Sequence, residues 1–142
     1  MKKALLISML VAFTAAFNST SYAQCTKGNC FTGSGVFKFA NGDQYDGQWL
    51  NGKPHGPGTY IFVSGDKYIG SFFQGKRSGF GTYIWIKGGK YAGNWKDDKR
   101  DGYGKFYWLG TAQYSGTWAA DQIVTMDVNT TTDTQAKPVE GN

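Results

Sequence analysis

Residues 45–58 read YDGQWLNGKPHGPG, and most of this stretch recurs every 23 residues along the chain. Its tyrosine is followed four positions later by a second aromatic residue in each copy. The pairs are Tyr45 and Trp49, Tyr68 and Phe72, Tyr91 and Trp95, and Tyr114 and Trp118, which together form the predicted repeat core. Glycines repeat in the same register, at Gly47, Gly70, Gly93 and Gly116, at Gly56, Gly79 and Gly102, and at Gly58, Gly81 and Gly104. A fixed period of this length indicates stacked supersecondary units, here three full repeats framed by two half-repeats.

Each repeat contains two segments with the period of two that is typical of β-strands. In residues 44–49, Tyr45, Gly47 and Trp49 fall on one side and polar residues on the other. The second segment, residues 58–63, alternates in the same way and is rich in aromatic and β-branched residues. We therefore expect two short strands in every repeat.

Two kinds of connector join these strands. We expect a longer connector at residues 50–57 and its copies, and a tight turn centred on Ser64-Gly65 and on Gly88-Gly89, where short glycine-containing turns suit hairpins. Hairpins that pair side by side make an all-β fold, an elongated single-layer antiparallel sheet of stacked hairpin repeats. Because neighbouring strands lie about 4.8 Å apart, such a sheet lengthens by about 10 Å per repeat.

The repeated glycines have a predicted structural role. Gly47 lies between two large aromatic residues on one face, so its missing side chain leaves room for an aromatic ring from a neighbouring strand. Gly56 and Gly58 flank the second strand, where we expect a positive φ or a close approach of backbones.

The pattern Tyr45-x-Gly47-x-Trp49-x-x-Gly52-x-x-x-Gly56-x-Gly58 resembles the MORN (membrane occupation and recognition nexus) repeat. The resemblance extends from Thr32 to Trp118. It departs from the pattern at Asp98, where a glycine is expected, and after Trp118, where no Gly-x-Gly follows. The resemblance implies protein–protein contacts, dimerisation and binding of acidic phospholipids.

The array has distinct segments on either side. Residues 1–23 have a basic start, an apolar centre and a small-x-small end, as a secretory signal peptide does, which predicts an exported protein, periplasmic or secreted and bacterial. Residues 24–31 form a predicted N-terminal cap, residues 32–118 the repeat array, residues 119–128 a closing strand or cap, and residues 129–142 a disordered tail. Removing Lys2 and Lys3 leaves 13 of the 15 basic side chains against 10 acidic ones, a net charge of +3 that is too mild to indicate nucleic acid.

Cys25 and Cys30 are the only two cysteines of the chain. In an oxidising compartment they are expected to form a disulfide that fixes the first edge of the array. The alternatives are a metal site, which lacks nearby histidines, and a redox pair, whose spacing differs. Lipidation of Cys25 is a weaker hypothesis, because the bulky Gln24 precedes it. We expect no metal and no cofactor.

Few residues suggest catalysis. His55 is the only histidine and has no repeated serine or cysteine partner, so we interpret it as an ordinary loop residue. Asp97, Asp98 and Asp101 are interleaved with basic residues, which favours charge neutralisation over glycan hydrolysis or Ca²⁺ binding. The sequence therefore predicts a chain that is not an enzyme.

Two surfaces are candidates for binding. A basic rim is expected where consecutive repeats place cations in register, at Lys53, Lys76, Arg77, Lys99 and Arg100. An apolar strip is expected on the face opposite the tyrosines, at Ile61, Val63, Ile69, Phe73, Ile84, Ile86, Tyr107 and Leu109. An exposed strip of this size is typical of an association surface, and the unpaired C-terminal strand edge offers strand addition between two copies.

These surfaces support two functional hypotheses. The first is a non-enzymatic protein-interaction or scaffold module of the cell envelope or secreted space, with a protein partner or a second copy of the chain. The second is binding of an anionic lipid or envelope polymer through the basic rim.

Overall fold

The computed structural model describes residues 23–108 and 113–127. These residues form ten strands: β1 (Gln24–Gly28), β2 (Gly33–Lys38), β3 (Gln44–Leu50), β4 (Lys53–Ile61), β5 (Lys67–Phe73), β6 (Lys76–Ile84), β7 (Lys90–Lys96), β8 (Lys99–Tyr107), β9 (Gln113–Ala119) and β10 (Gln122–Asp127). All ten belong to one antiparallel sheet in which each strand pairs with its neighbours in the sequence. The predicted all-β fold of stacked hairpins is therefore confirmed.

The two kinds of connector are the reverse of the prediction. The hairpins are closed by two-residue turns in which both residues have positive φ: Asn51 and Gly52, Gln74 and Gly75, Asp97 and Asp98, and Ala120 and Asp121. Positive φ at both central residues is the signature of the type I′ turn, whose twist matches that of the flanking strands. The predicted tight turns are instead loops of five residues, at 62–66 and 85–89.

The prediction of a long connector at residues 50–57 is wrong because β4 already begins at Lys53. The Gly- and Pro-rich residues lie in a wide bulge of this strand. Gly47 pairs with Gly58 and Trp49 with Pro54, so that residues 55–57 lie opposite a single residue of β3. The bulge recurs in β6 and β8. Its central glycines have the expected positive φ, of 69°, 68° and 96° at Gly56, Gly79 and Gly102.

The buried side chains of the repeats lie on one face of the sheet, the core face. Tyr45, Tyr68 and Tyr91 are fully buried there. Gly47 and Gly58 are cross-strand partners, and a Cβ added to either would collide with the ring of Tyr45. The predicted use of these glycines, to make room for a ring, is confirmed. However, the ring comes from the same strand as Gly47 rather than from a neighbouring strand.

The second aromatic residue of each predicted pair is also buried on the core face. These residues are Trp49, Phe72, Trp95 and Trp118. The indole N–H groups of Trp49 and Trp95 donate to the carbonyls of Gly35 and Gly81, at 3.0 and 3.1 Å. Phe72 differs from them, because a phenyl ring has no N–H to donate. It therefore fills its core position by packing alone.

Each buried tyrosine joins consecutive repeats. Tyr45 packs edge-on against Phe72 of the next repeat, with the ring centroids 4.9 Å apart. Tyr68 meets Trp95 in the same way at 5.3 Å, and Tyr91 meets Trp118 at 5.5 Å. Such aromatic pairs contribute about 0.5–1.5 kcal/mol each beyond area burial. The core is therefore one continuous row along the array.

Tyr114 departs from the predicted repeat core, because its side chain is 40% exposed. The last hairpin, β9 and β10, lacks the wide bulge and places Met126 opposite Gly116. Met126 thus stands at the position that Gly58 has in the first repeat, and its side chain is 50% exposed. No further repeat follows within the described residues to cover the ring. Tyr114 therefore marks the end of the core.

The N-terminal edge carries the predicted disulfide. Cys25 and Cys30 are bonded, with their Cα atoms 5.9 Å apart, and Cys30 packs against the aromatic core. Other parts of the predicted organisation lie outside the described residues: nearly all of the leader, Leu109, Val128 and the tail at residues 129–142. Within the described ranges, no helix is long and apolar enough to cross a membrane.

Candidate interaction surfaces

The face opposite the core, which we call the outer face, leaves large apolar side chains exposed. Ile69 is 47% exposed, Phe73 55% and Ile84 37%. Val63 and Ile86 lie in the five-residue loops next to this face and are 71% and 64% exposed. Ile61 and Tyr107 are only partly buried. The strand residues predicted as part of an apolar strip therefore lie on one face of the sheet, as far as the described residues extend.

Sequence reasoning missed three members of this surface. Leu50, at the position equivalent to Phe73, is 44% exposed. Phe80 and Tyr103 are 63% and 47% exposed, and they occupy equivalent positions in consecutive repeats, where the first repeat has Pro57. The 23-residue spacing predicts the equivalence of Phe80 and Tyr103, but the bulge that contains them has the composition of a loop. We call the following residues of the outer face and its adjoining loops the outer strip: Leu50, Ile61, Val63, Ile69, Phe73, Phe80, Ile84, Ile86, Tyr103 and Tyr107.

The predicted basic rim is not a row of unpaired cations, because three of its five members make salt bridges. Lys53, Lys76 and Lys99 each begin a strand directly after a two-residue turn. The Lys76 ammonium lies 3.2 Å from Asp97, in an exposed ion pair. Arg77 and Arg100 turn back onto the core face, where they contact the next repeat. Among the described residues, only Lys53 and Lys99 of the five rim cations make no salt bridge.

The two arginines form identical clamps between repeats. The Arg77 guanidinium lies 4.4 Å from the ring centroid of Trp95, and its Nε is 3.0 Å from the Asp98 carboxylate. The Arg77 backbone N–H donates to the same carboxylate oxygen at 2.9 Å. Arg100 repeats this arrangement with Trp118 and Asp121. Asp98, which departs from the family pattern, therefore stabilises the stacking of repeats.

The earlier repeat lacks both halves of this clamp. The positions of Arg77 and Asp98 are taken by Pro54 and Gly75. Proline has no N–H to donate and glycine has no carboxylate to accept, so neither group is left unsatisfied. The backbone hydrogen bond between turns remains, from Gly75 N–H to the Pro54 carbonyl at 2.8 Å. The side-chain donor and the carboxylate acceptor of the clamp are thus both absent from this repeat.

A second clamp joins the five-residue loops. Asp66 accepts hydrogen bonds from the Tyr83 hydroxyl at 3.0 Å and from the Ile86 N–H at 2.9 Å. Asp43 does the same with Tyr60 and Val63. In the next repeat, Gly89 and Phe106 stand at the positions of Asp66 and Tyr83. The carboxylate and the hydroxyl of this clamp are therefore both absent there. These aspartates are structural groups rather than free ligands.

The loop clamps shift the ionisation of their members. The hydrogen bond from Ile86 holds the pKa of Asp66 below its usual 3.8, although burial opposes the shift. Burial raises the pKa of Asp43, but the hydrogen bonds from Val63 and Tyr60 outweigh it and lower the pKa overall. Burial and the neighbouring Asp66 raise the pKa of Tyr83 to about 12.

The residues considered for catalysis are not brought together. The His55 ring lies 5.2 Å from that of Phe73, on β4 rather than in a loop. Asp97 and Asp98 pair with cations, and Asp101 accepts a hydrogen bond from Ala120 N–H at 3.3 Å. Within the described residues, no group of three or more His, Cys, Asp or Glu side chains is placed to hold a metal ion.

Within residues 23–108 and 113–127, the C-terminal edge of the sheet is apolar and unpaired. All six residues of β10 are exposed, among them Ile123, Val124 and Met126. The N-terminal edge differs in its charge, because β1 carries Lys27 whereas β10 carries Asp127; the pairing register shifts at both edges. A lysine on an edge strand protects the sheet edge from association.

Comparison with known families gives one match. The MORN repeat model matches residues 31–44, 45–67, 68–90 and 91–108, more than half of the chain. MORN repeats are generally modules for interaction with proteins or lipids. None of the curated proteins matches the chain.

Proposed function

Because the chain belongs to the MORN-repeat family, we propose that it is a non-enzymatic protein-interaction module that binds through its outer face. The observation that carries this proposal is the outer strip. A single-layer sheet buries one face only, and here the other face presents isoleucine and aromatic side chains over several consecutive repeats. Contiguous apolar surface of this kind is typical of association sites.

The proposal includes a second copy of the chain as one partner. Strand β10 exposes its free edge and three apolar side chains, and the end of the aromatic core at Tyr114 lies beside it. Two antiparallel β10 strands would continue the sheet across a two-fold axis. The less favourable N-terminal edge argues against head-to-tail chains.

An exported location is part of the proposal. The Cys25–Cys30 disulfide supports it, because such bonds persist in oxidising compartments. The leader-like composition of residues 1–23 supports it independently. Mass spectrometry of the chain recovered from an expressing bacterium would test both, through an N-terminus at Gln24 and a mass two hydrogens below the reduced form. An intact Met1 with free thiols would contradict it.

The absence of enzymatic activity is also proposed rather than established. The Asp, Arg and Tyr side chains that recur in register are engaged in clamps between repeats, and His55 packs on Phe73. The second candidate function, binding of an anionic lipid or polymer through the rim, retains only Lys53 and Lys99 as cations without a salt bridge among the described residues. We therefore favour the protein partner.

Light scattering over a range of concentrations, at low and high salt, tests the proposal. The outer strip is expected to support association that persists in high salt, because apolar contacts are not screened. Replacing Ile84 and Ile86 by aspartate should abolish association through the outer strip and leave at most a dimer joined at β10, without lowering the melting temperature by more than a few degrees, since both side chains are exposed.

Gln113→Asp is the matched control, because Gln113 lies on the same face of the sheet and is already polar and exposed. Association beyond a dimer that survives in the double aspartate variant would contradict the assignment to the outer strip. A wild-type chain that stays monomeric throughout would contradict self-association and restrict the proposal to a different protein.

A further inference from the structure

The charged residues in the middle of the outer face are almost all lysines. Between β2 and β9, the outward-facing residues of the regularly paired segments include four lysines and one acid: Lys38, Lys67, Lys90, Lys105 and Asp46. The other acids of the described residues are used elsewhere. Asp43 and Asp66 lie in the loops, Asp97, Asp98 and Asp121 at the turns, and Asp101 accepts from the Ala120 N–H. Asp127 lies on β10, where it accepts from the Tyr103 hydroxyl at 2.8 Å. None of the four lysines makes a salt bridge within the described part of the chain. The cationic surface therefore lies on the outer face rather than on the rim.

Two of these lysines lie inside the outer strip. The pairing register places Ile61, Lys67, Ile84, Lys90 and Tyr107 side by side on consecutive strands. Lysine and apolar residue thus alternate across the sheet at about 4.8 Å per strand, which separates the two lysines by about 9.6 Å. The Lys90 ammonium lies 4.6 Å from the centroid of the Tyr107 ring, so this side chain lies along the surface.

This alternation of lysine and apolar residues favours a protein over a lipid surface as the partner. A membrane-binding surface inserts its apolar side chains into the hydrocarbon boundary while the cations remain among the headgroups around them. Here Ile84 lies between Lys67 and Lys90, so its insertion would require both lysine side chains to extend back to the headgroups. A protein partner meets the same pattern without this cost, because it can supply a carboxylate opposite each ammonium and apolar side chains between.

The direction of the row determines the conformation of the partner. The row runs across the strands, on a face whose backbone hydrogen bonds are already satisfied within the sheet. A segment lying along it must therefore satisfy its own backbone groups, as an α-helix does. Equivalent positions one heptad apart on a helix are separated by about 10.5 Å, close to the lysine spacing of about 9.6 Å.

We propose that the outer face binds an acidic amphipathic helix laid across the strands, with carboxylates one heptad apart that pair with Lys67 and Lys90. Apolar residues of the same helix face contact Ile61, Ile84 and Tyr107. This inference rests on the proposed function and names the partner class for the same surface.

Fluorescence anisotropy with synthetic helices tests it. The probe is a labelled helical peptide of about three heptads with one glutamate per heptad beside leucines on one face. Its matched controls carry glutamine or lysine at the glutamate positions. The glutamate peptide is expected to bind best, with an affinity that falls when salt rises from about 0.05 M to about 0.5 M. The lysine peptide is expected not to bind.

Charge reversal on the protein provides the decisive comparison. Lys67→Glu with Lys90→Glu should weaken binding of the glutamate peptide at least about tenfold and create binding of the lysine peptide. In the control variant, Lys53→Glu with Lys99→Glu on the rim, the binding of both peptides should be nearly the same as in the wild type. Equal binding of the acidic and basic peptides, or an equal loss in the two double variants, would overturn the inference.

Vesicles containing anionic phosphatidylglycerol form the third arm. One outcome is that the chain binds the vesicles but not the acidic peptide. If the Lys67 and Lys90 reversal then abolishes vesicle binding, the ligand of the outer face is a lipid surface and not a helix. If the aspartate variant of Ile84 and Ile86 loses association while neither lysine reversal changes peptide binding, the proposed function stands and this inference fails. If the aspartate variant also associates as the wild type does, the proposed function and this inference both fail.

Discussion

The guanidinium of Arg77 lies 4.4 Å from the ring centroid of Trp95, a residue of the following repeat. The same guanidinium donates to the carboxylate of Asp98, the second residue of the next turn. One side chain thus joins an aromatic core position to a turn, and both contacts cross the boundary between repeats. Repeat arrays derive their stability from such nearest-neighbour interfaces.

The Arg77 clamp predicts coupling between two positions. Arg77→Pro alone removes the cation–π contact and all three hydrogen bonds that Arg77 donates to Asp98, and we expect a loss of about 1–3 kcal/mol in the free energy of unfolding. Asp98→Gly alone should cost about 1 kcal/mol. The double variant reproduces the natural pair of Pro54 and Gly75 and should recover at least about 1 kcal/mol relative to the sum. Urea unfolding of the four proteins measures this; strict additivity would show that the clamp is not a unit.

The Tyr68 ring predicts a strong difference between two glycines. A Cβ at Gly81 collides with the Tyr68 ring, whereas one at Gly75 meets no atom within 4 Å. Gly81→Ala should therefore cost at least about 2 kcal/mol by overpacking. Gly75→Ala, at φ +88°, should cost only about 1 kcal/mol through backbone strain. Thermal unfolding distinguishes them, and equal melting temperatures would contradict the packing of Tyr68 over its glycine pair.

The loop clamp predicts acid sensitivity. The pKa of Asp66 lies below 3.8 in the folded chain, so its ionised form stabilises the fold above pH 3.8, and this stability is lost as the pH falls through the folded pKa. Asp66→Gly with Tyr83→Phe, which reproduces the natural pair of Gly89 and Phe106, should lose less stability than the wild type between about pH 5 and pH 3. Melting temperatures across this range test it. Parallel curves for the two proteins would exclude Asp66 as a source of the pH dependence.

The open edge of β10 predicts a site of self-association. Lysine on an edge strand opposes pairing with another strand. Val124→Lys should therefore reduce the dimer fraction at a given concentration, while Thr26→Lys on β1 should not. Sedimentation velocity measures both. A larger decrease in the dimer fraction for Thr26→Lys would contradict the β10 interface and assign self-association to the N-terminal edge.

The strands and core of the repeat could be predicted from the sequence, because period-two alternation and the 23-residue spacing report directly on which side chains share a face. The hairpin turns could not. Gly56 and its neighbours have the composition of a loop, and only the pairing of Gly47 with Gly58 and of Trp49 with Pro54 shows that they form a bulge within a strand.

The candidate surfaces were predictable in part for the same reason. Apolar residues such as Ile84 were assigned to the outer face by alternation alone. The engagement of Arg77 and Arg100 was not visible, because it depends on how one repeat stacks on the next and brings an aspartate 21 positions later to the arginine. Lys67 and Lys90 are also 23 positions apart, but only the strand pairing shows that they lie on either side of Ile84 on the outer face.

Photo-cross-linking in cells that express the chain tests the central claim most directly, that the outer face is where this protein contacts other proteins. Benzoylphenylalanine is placed at Phe80 or Ile86 on the outer face, and at Gln74 in an exposed turn as the control. We predict a discrete adduct of higher mass from both outer-face positions, formed with a second copy or with another protein, and none from Gln74. Absence of an adduct from both outer-face positions, or an equally strong one from the turn, would contradict the claim.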